Sequence, residues 1–212
     1  MVGRGVLLEC LDHSEVSEVL CIVRKPTGES HPKLKELVHP DFNDFSSVKE
    51  QLKGYDACFA CMGVSAAGMS EEQYTKLTYD YTLGLAKELV ANNPSMTFTY
   101  VSGVGTDSSE KGRMMWASVK GKTENDLLKL GFNKAFMFRP GGVIPKRGAA
   151  PKAKTTKIAM NLLGWILPII KALNPNSITD TNLIGKAMIN AHLKGYNEKI
   201  LTPKDINLLA EL

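Results

Sequence analysis

Four cysteines, at positions 10, 21, 58 and 61, are too sparse in a chain of 212 residues to form a disulfide framework. The four histidines, at 13, 31, 39 and 192, show no ligand spacing, so no metal site is expected. Cys58-Phe59-Ala60-Cys61 has the letters of a redox or metal pair, but it lies in an apolar run that reads as strand. Residues three apart on a strand face opposite ways, and buried free thiols are the better reading. Concentrated charge is lacking too: a net charge of +4 and a pI near 8.8 are mild, which argues against a dedicated nucleic-acid binder. The longest apolar stretch, Ile158 to Ile170, is too short to span a bilayer and is broken by Asn161, Gly164 and Pro168. No signal peptide is recognisable, so a reducing, cytoplasmic setting is expected. Low-complexity sequence is likewise missing, and 43% hydrophobic residues suffice for one compact domain.

What is present is an alternation of strand and helix signals. Met96 to Val101 is β-branched and aromatic, follows the breaker pair Asn93-Pro94, and runs into Ser102-Gly103-Val104-Gly105, so a strand should feed a glycine turn. At the carboxyl edge of an open parallel sheet, a hydroxyl such as that of Ser102 sits where ligands bind. Trp116 and Lys120 follow in a helical segment, and their spacing puts them on one face. The plainer reading makes Trp116 a core aromatic and Lys120 a solvated lysine.

The rest of the chain repeats the alternation. Met1 to Leu11 reads as an amphipathic helix, and Glu18 to Val23 as a buried strand closed by Arg24-Lys25-Pro26. Leu34 to His39 should be an edge strand and Asp41-Phe42 follows it. Ser46 or Ser47 is expected to cap a helix to Leu52, before a strand from Ala57 to Cys61 that ends in Met62-Gly63. Ser70-Glu71-Glu72-Gln73 has capping-box spacing and opens a helix that Asn92-Asn93-Pro94 halts. Thr106 to Arg113 is polar and expected to be a mobile loop over the site. Lys134 to Arg139 is another strand, followed by Pro140-Gly141-Gly142. A helix from Thr179 to about Leu193, a small strand near Lys199 to Leu201 and a last helix opened by Pro203 complete the order. Such alternation predicts an α/β fold with a mostly parallel sheet.

Ser102, the Trp116-x-x-x-Lys120 pair, Lys120-Gly121-x-x-Glu124 and above all Arg139-Pro140-Gly141 together resemble the short-chain dehydrogenase/reductase superfamily, in its atypical or extended, NAD(P)-binding, NmrA-like branch. The resemblance implies a Rossmann-like doubly wound fold, with a dinucleotide-binding domain over residues 1–145 and a substrate-lobe segment of the same domain over 146–212. It implies that Lys120 holds a nicotinamide ribose, that Ser102 polarises a carbonyl, and that the residue at position 116 is normally a proton-transferring tyrosine. Trp116 departs from that pattern, because an indole offers only a non-titrating N–H. Gly3 fits the third glycine of a phosphate-binding Gly-x-x-Gly-x-x-Gly. The strand and first two glycines of that motif do not precede it, so a truncated start, weakened dinucleotide affinity and a less stable sheet are expected. Cofactor contacts are further implied for Asp41 and Phe42 beside the adenine, for Cys61, Met62 and Gly63 near its ribose, and for Pro140 and Gly141. Arg24 and Lys25 favour the 2′-phosphate of NADP over NAD.

The expected activity is that of an NADP-dependent oxidoreductase acting on a small carbonyl or alcohol. The alternative is a catalytically silent NAD(P)-binding regulator, which Trp116 favours. A homodimer is compatible with either. The cations Lys146, Arg147, Lys152, Lys154 and Lys157 beside the apolar run suggest a third class, a membrane-surface protein; a pocket-covering or dimer-forming helix is preferred.

Overall fold

The structure is a computed structural model and describes residues 1–149 and 177–212. The membrane-surface expectation for Lys152, Lys154, Lys157 and the apolar run falls outside these residues. The described elements follow the predicted alternation: α1 (Val2–Asp12), β1 (Val19–Val23), β2 (Leu34–Val38), a 3-10 helix (Ser46–Leu52), β3 (Ala57–Ala60), α2 (Glu71–Thr75), a π-helical turn (Lys76–Asp80), α3 (Tyr81–Asn92), β4 (Thr97–Val101), α4 (Met115–Lys129), β5 (Lys134–Phe138), β6 (Gly142–Ile144), β7 (Ile178–Asp180), α5 (Thr181–Leu193), β8 (Ile200–Leu201) and α6 (Pro203–Ala210). The fold is α/β and Rossmann-like, as the sequence predicts.

Two compact units share these elements. One comprises Met1–Leu37, Pro140–Asn197 and Leu201–Leu212; the other comprises Val38–Arg139 and Glu198–Ile200. The chain therefore leaves the first unit and re-enters it at the Arg139–Pro140 step.

In the second unit β3, β4 and β5 run parallel, with Phe98 beside Cys58 and Ala135, and Tyr100 beside Ala60 and Met137. β8 follows β5 in the sheet order, and the Met137 N–H donates to the Lys199 carbonyl at 2.7 Å. Near-continuous apolar strands are what a sheet covered on both faces requires: Phe98, Tyr100, Met137 and Phe138 are all fully buried. The Ser70 capping box forms as its letters predict, with the Ser70 hydroxyl accepting from Gln73 N–H. The 3-10 helix departs from expectation, since Ser46 does not cap it through its side chain. Asp44 instead accepts from the Ser46 N–H at 2.8 Å, an Asx turn that leads the chain into the helix. Asn93 joins three segments: its carbonyl oxygen accepts from the N–H groups of Gly54 and Tyr55, and its amide donates to the carbonyls of Leu52 and Leu89.

In the first unit β1 pairs with β2, and β6 runs parallel to β7. Its core is a helix contact between α1 and α5. A Cβ on Gly5 would run into Thr181, 2.9 Å from its carbonyl oxygen, and a Cβ on Gly185 would lie 2.7 and 2.8 Å from Cγ and Cβ of Glu9. Missing side chains on both helices thus let the backbones close together. Arg147 closes this unit's α1 from outside, at 2.7 Å from Asp12 and 3.3 Å from Glu9. Asp180 caps α5 and Thr202 forms a capping box with Asp205 ahead of Pro203.

Candidate functional site

The carboxyl end of β4 is built by three residues to which the sequence gives a role, Ser102, Trp116 and Lys120, and two to which it gives none, Glu124 and Arg139. Lys120 is 9% exposed, and its ammonium donates to the carbonyls of Ser102 at 3.0 Å and Val101 at 3.4 Å. Its Nζ also lies 5.6 Å from the centre of the Tyr100 ring. Burial drives its pKa from 10.5 down to about 8, and nearby Glu124 opposes that only in part. The solvated-lysine reading therefore fails.

Trp116, one turn before Lys120, is half-buried, and its ring packs on the turn after β4. A Cβ on Gly105, whose φ is +90°, would sit 3.1 Å from the indole. The indole N–H has no hydrogen bond among the described residues. Trp116 thus occupies the place beside the strand end that the sequence assigned to it, and brings no titratable group there.

Ser102 is held otherwise than expected. Its hydroxyl donates to Glu124 and lies 3.1 Å from the Phe138 carbonyl, so its single proton is claimed inside the protein. Glu124 is fully buried and receives Arg139 through Nε, at 3.1 and 3.2 Å, and through Nη2 at 2.5 Å. This fork-on-carboxylate pairing satisfies the charge that burial would otherwise penalise. Arg139 also donates to the Ser108 hydroxyl at 2.5 Å. The Glu124–Arg139 pair was the residue set that sequence reasoning left without a role. Its signal was the unexplained acid in Lys120-Gly121-x-x-Glu124 and the arginine that opens Arg139-Pro140-Gly141.

The loop from Thr106 to Arg113 is pinned, which corrects the expectation of a mobile cover. Asp107 donates its N–H to the Ala117 carbonyl, and its carboxylate accepts from the Ser109 N–H and hydroxyl and the Gly112 N–H. Those donors hold its carboxyl below the usual range. Asn125 donates to the Ser108 carbonyl and to Glu110. Gly121 makes the arrangement possible, because a Cβ there would overlap the Asp107 carbonyl.

Tyrosines that could have replaced the missing phenol are engaged elsewhere. Tyr79 donates to Asp126 at 2.8 Å under Lys122, and Tyr81 packs on Phe42 with ring centres 6.1 Å apart. Tyr100 is fully buried and its phenol is pushed up in pKa, chiefly by that burial.

The remaining predicted cofactor residues divide between the two units. In the second, Gly63 is exposed beyond β3 and a Cβ there would meet nothing within 4 Å, so a ligand can approach its backbone; Cys61 and Met62 are half-buried before it. Asp41 is exposed and accepts from Asn43, whereas Phe42 turns inward, edge-on to Phe45 at 5.4 Å, rather than offering a face. In the first, Arg24 and Lys25 are exposed at the end of β1 and have no partner among the described residues. Gly3 lies in the first turn of α1, but the glycine that packs tightly there is Gly5. Pro140 is buried, and Gly141 answers a packing need: a Cβ would strike the Ser177 carbonyl. Within the second unit, the open backbone at Gly63 and the Lys120 ammonium at the strand edge are groups that suit a nucleotide ligand. Metal-binding groups of three or more His, Cys, Asp or Glu are absent among the described residues, and burial pushes the thiols of Cys10 and Cys58 up to about 12.

No family model matches the chain. It is 28% identical over 207 residues to the protein fmp52, mitochondrial, of Emericella nidulans, covering 94% of this chain and 86% of that one. The HTATIP2 protein of Rattus norvegicus is 26% identical over 148 residues, 68% of this chain and 60% of its own length, so the chain spans less than two thirds of it. Among solved structures, WbmF of Bordetella bronchiseptica, determined in complex with NAD+, superposes with a TM-score of 0.64 at 13% identity over 99% of this chain and 74% of that one. The fungal relative's mitochondrial name overturns the expectation of a cytoplasmic protein. That expectation rested on not recognising a signal peptide, which has no bearing on import into an organelle.

Proposed function

We propose, from a chain similar to the atypical short-chain dehydrogenase/reductases in its motifs, its relatives and its fold, that this protein binds a nicotinamide dinucleotide and transfers hydride to or from a small carbonyl or alcohol. The observation that carries the reading is Lys120, desolvated and bonded to the carbonyls of Val101, which ends β4, and of Ser102 after it, where a ribose hydroxyl or a substrate oxygen can take its remaining donor. Arg24 and Lys25 supply a docking point for a 2′-phosphate, which makes NADP the preferred form. The fungal relative's name supports a mitochondrial setting for this activity.

Calorimetric titration of NADPH and NADH tests the reading. Tighter binding of NADPH is expected, and Arg24→Asp should narrow or reverse the preference. Binding of neither nucleotide would sink the proposal.

Trp116 favours a second reading, a site that binds dinucleotide and no longer turns over. Trp116→Tyr separates the two. If that variant gains carbonyl-reductase turnover where the parent has none, the parent is a silent binder; a parent that turns over already has another proton source.

A further inference from the structure

We propose that Lys120 is itself the proton-carrying group of this site, donating to the substrate oxygen in reduction and accepting from it in oxidation. The inference rests on the oxidoreductase reading and names the residue that completes it. It follows from what surrounds the end of β4. The Ser102 hydroxyl has one proton and two internal acceptors, Glu124 and the Phe138 carbonyl, so it has none for a substrate. Trp116 does not titrate. The Tyr100 phenol is fully buried beneath Lys120, Tyr74 beside it is also buried and raised in pKa, and Tyr79 is committed to Asp126.

Lys120 differs from all of these. Its ammonium has three protons and, among the described residues, two acceptors, both neutral carbonyls. Among the described residues the carboxylate near it, Glu124, is spoken for by the Arg139 fork and Ser102, so none of them gives Lys120 a counter-ion of its own. An ammonium desolvated in this way gives up a proton near neutral pH, which suits general acid–base work. In reduction, the carbonyl carbon gains the hydride that a reduced nicotinamide supplies and the π pair moves onto oxygen. That oxygen takes a proton from Lys120, whose N–H bonding pair stays on nitrogen as the neutral amine. A proton from water then restores the ammonium. The carbonyl is reduced, and the nicotinamide oxidised.

The test begins without turnover. Competitive labelling with trace acetic anhydride, read by mass spectrometry between about pH 6 and pH 11, reports when each lysine becomes a neutral amine. We expect Lys120 to become reactive near pH 8 and to be protected by NADPH. Labelling that follows the ordinary lysine range overturns the inference. Calorimetry on the same preparation keeps the failures apart: no NADPH binding removes the oxidoreductase reading, whereas binding with an ordinary Lys120 removes this inference alone. The second arm uses phenanthrenequinone as a dicarbonyl probe. Wild-type kcat should fall as pH rises through about 8, because the donor form is lost. Lys120→Arg keeps the charge and the carbonyl bonds but cannot titrate, so kcat should drop about 100-fold or more and lose that limb, with the KM for NADPH changed less than about threefold. Unchanged kcat in the arginine variant, or no turnover by a parent chain that binds NADPH, assigns Lys120 a positioning role and overturns the proposal.

Discussion

The end of β4 and the α1–α5 contact bring elements together by opposite means. In the second unit, β4, β5, α4 and the loop after β4 are joined by charge: Glu124 receives Arg139 and Ser102, and Arg139 reaches on to Ser108. In the first, α1 and α5 are joined by the lack of side chains at Gly5 and Gly185, where Thr181 and the stem of Glu9 take the space. That contact is set by shape rather than by charge. A buried ionic network fixes polar groups in place and so creates an environment that can shift the pKa of its neighbours, which is the kind of environment a chemical site needs.

Breaking the ionic side should have the largest effect. Glu124→Ala strands the Arg139 charge and leaves Ser102 without its acceptor; we expect a loss of about 3–5 kcal/mol in urea unfolding. The contrast can also be sharpened with pH. The Lys120 pKa is lowered in the folded chain, so the unfolded chain binds more protons between about 8 and 10.5 and stability should rise with pH across that window, by about 3 kcal/mol at most. Lys120→Met should flatten that rise, and an identical slope in the variant would show that Lys120 is not its source. On the packed side, Gly185→Ala pushes a methyl against Glu9 and the Val6 backbone. It should cost about 2 kcal/mol with no dependence on pH between about 5 and 9, read as the shift in urea midpoint. Gly63→Ala is the smallest change: the methyl enters open space and stability should move by less than about 0.5 kcal/mol. If NADPH approaches there, its affinity should fall all the same, and an unaltered titration curve would remove Gly63 from the cofactor site.

Elements with a local cause were legible in the sequence. β4 announces itself by β-branched and aromatic letters, α2 by its Ser70–Gln73 box, and α6 by Pro203, and each forms within a residue or two of its expected place. Helical spacing was enough to put Trp116 and Lys120 beside the strand end. What the letters did not carry was the partner of each side chain. Ser102 looked available because its acceptor lies on a helix 22 residues later. Thr106 to Arg113 looked mobile because a polar loop and a tightly bonded one share a composition, and only Gly121, across the chain on α4, shows how closely the backbone can dock. Gly3 matched a motif position, yet Gly5 meets the steric demand, since that demand is set by Thr181. Phe42 matched a family step, and the aromatic cluster with His39 and Phe45 claimed its ring.

Asn93 bears on the order in which the chain can assemble. The turn that launches β3 presents two N–H groups at Gly54 and Tyr55 whose acceptor is a side chain 39 and 38 residues further on, and the same side chain closes the end of α3. The entry to β3 therefore cannot be locked when its own residues collapse; it waits for α3 to form and deliver Asn93. A chain released stepwise during synthesis would hold this first strand of the parallel sheet only provisionally until the helix after it is complete.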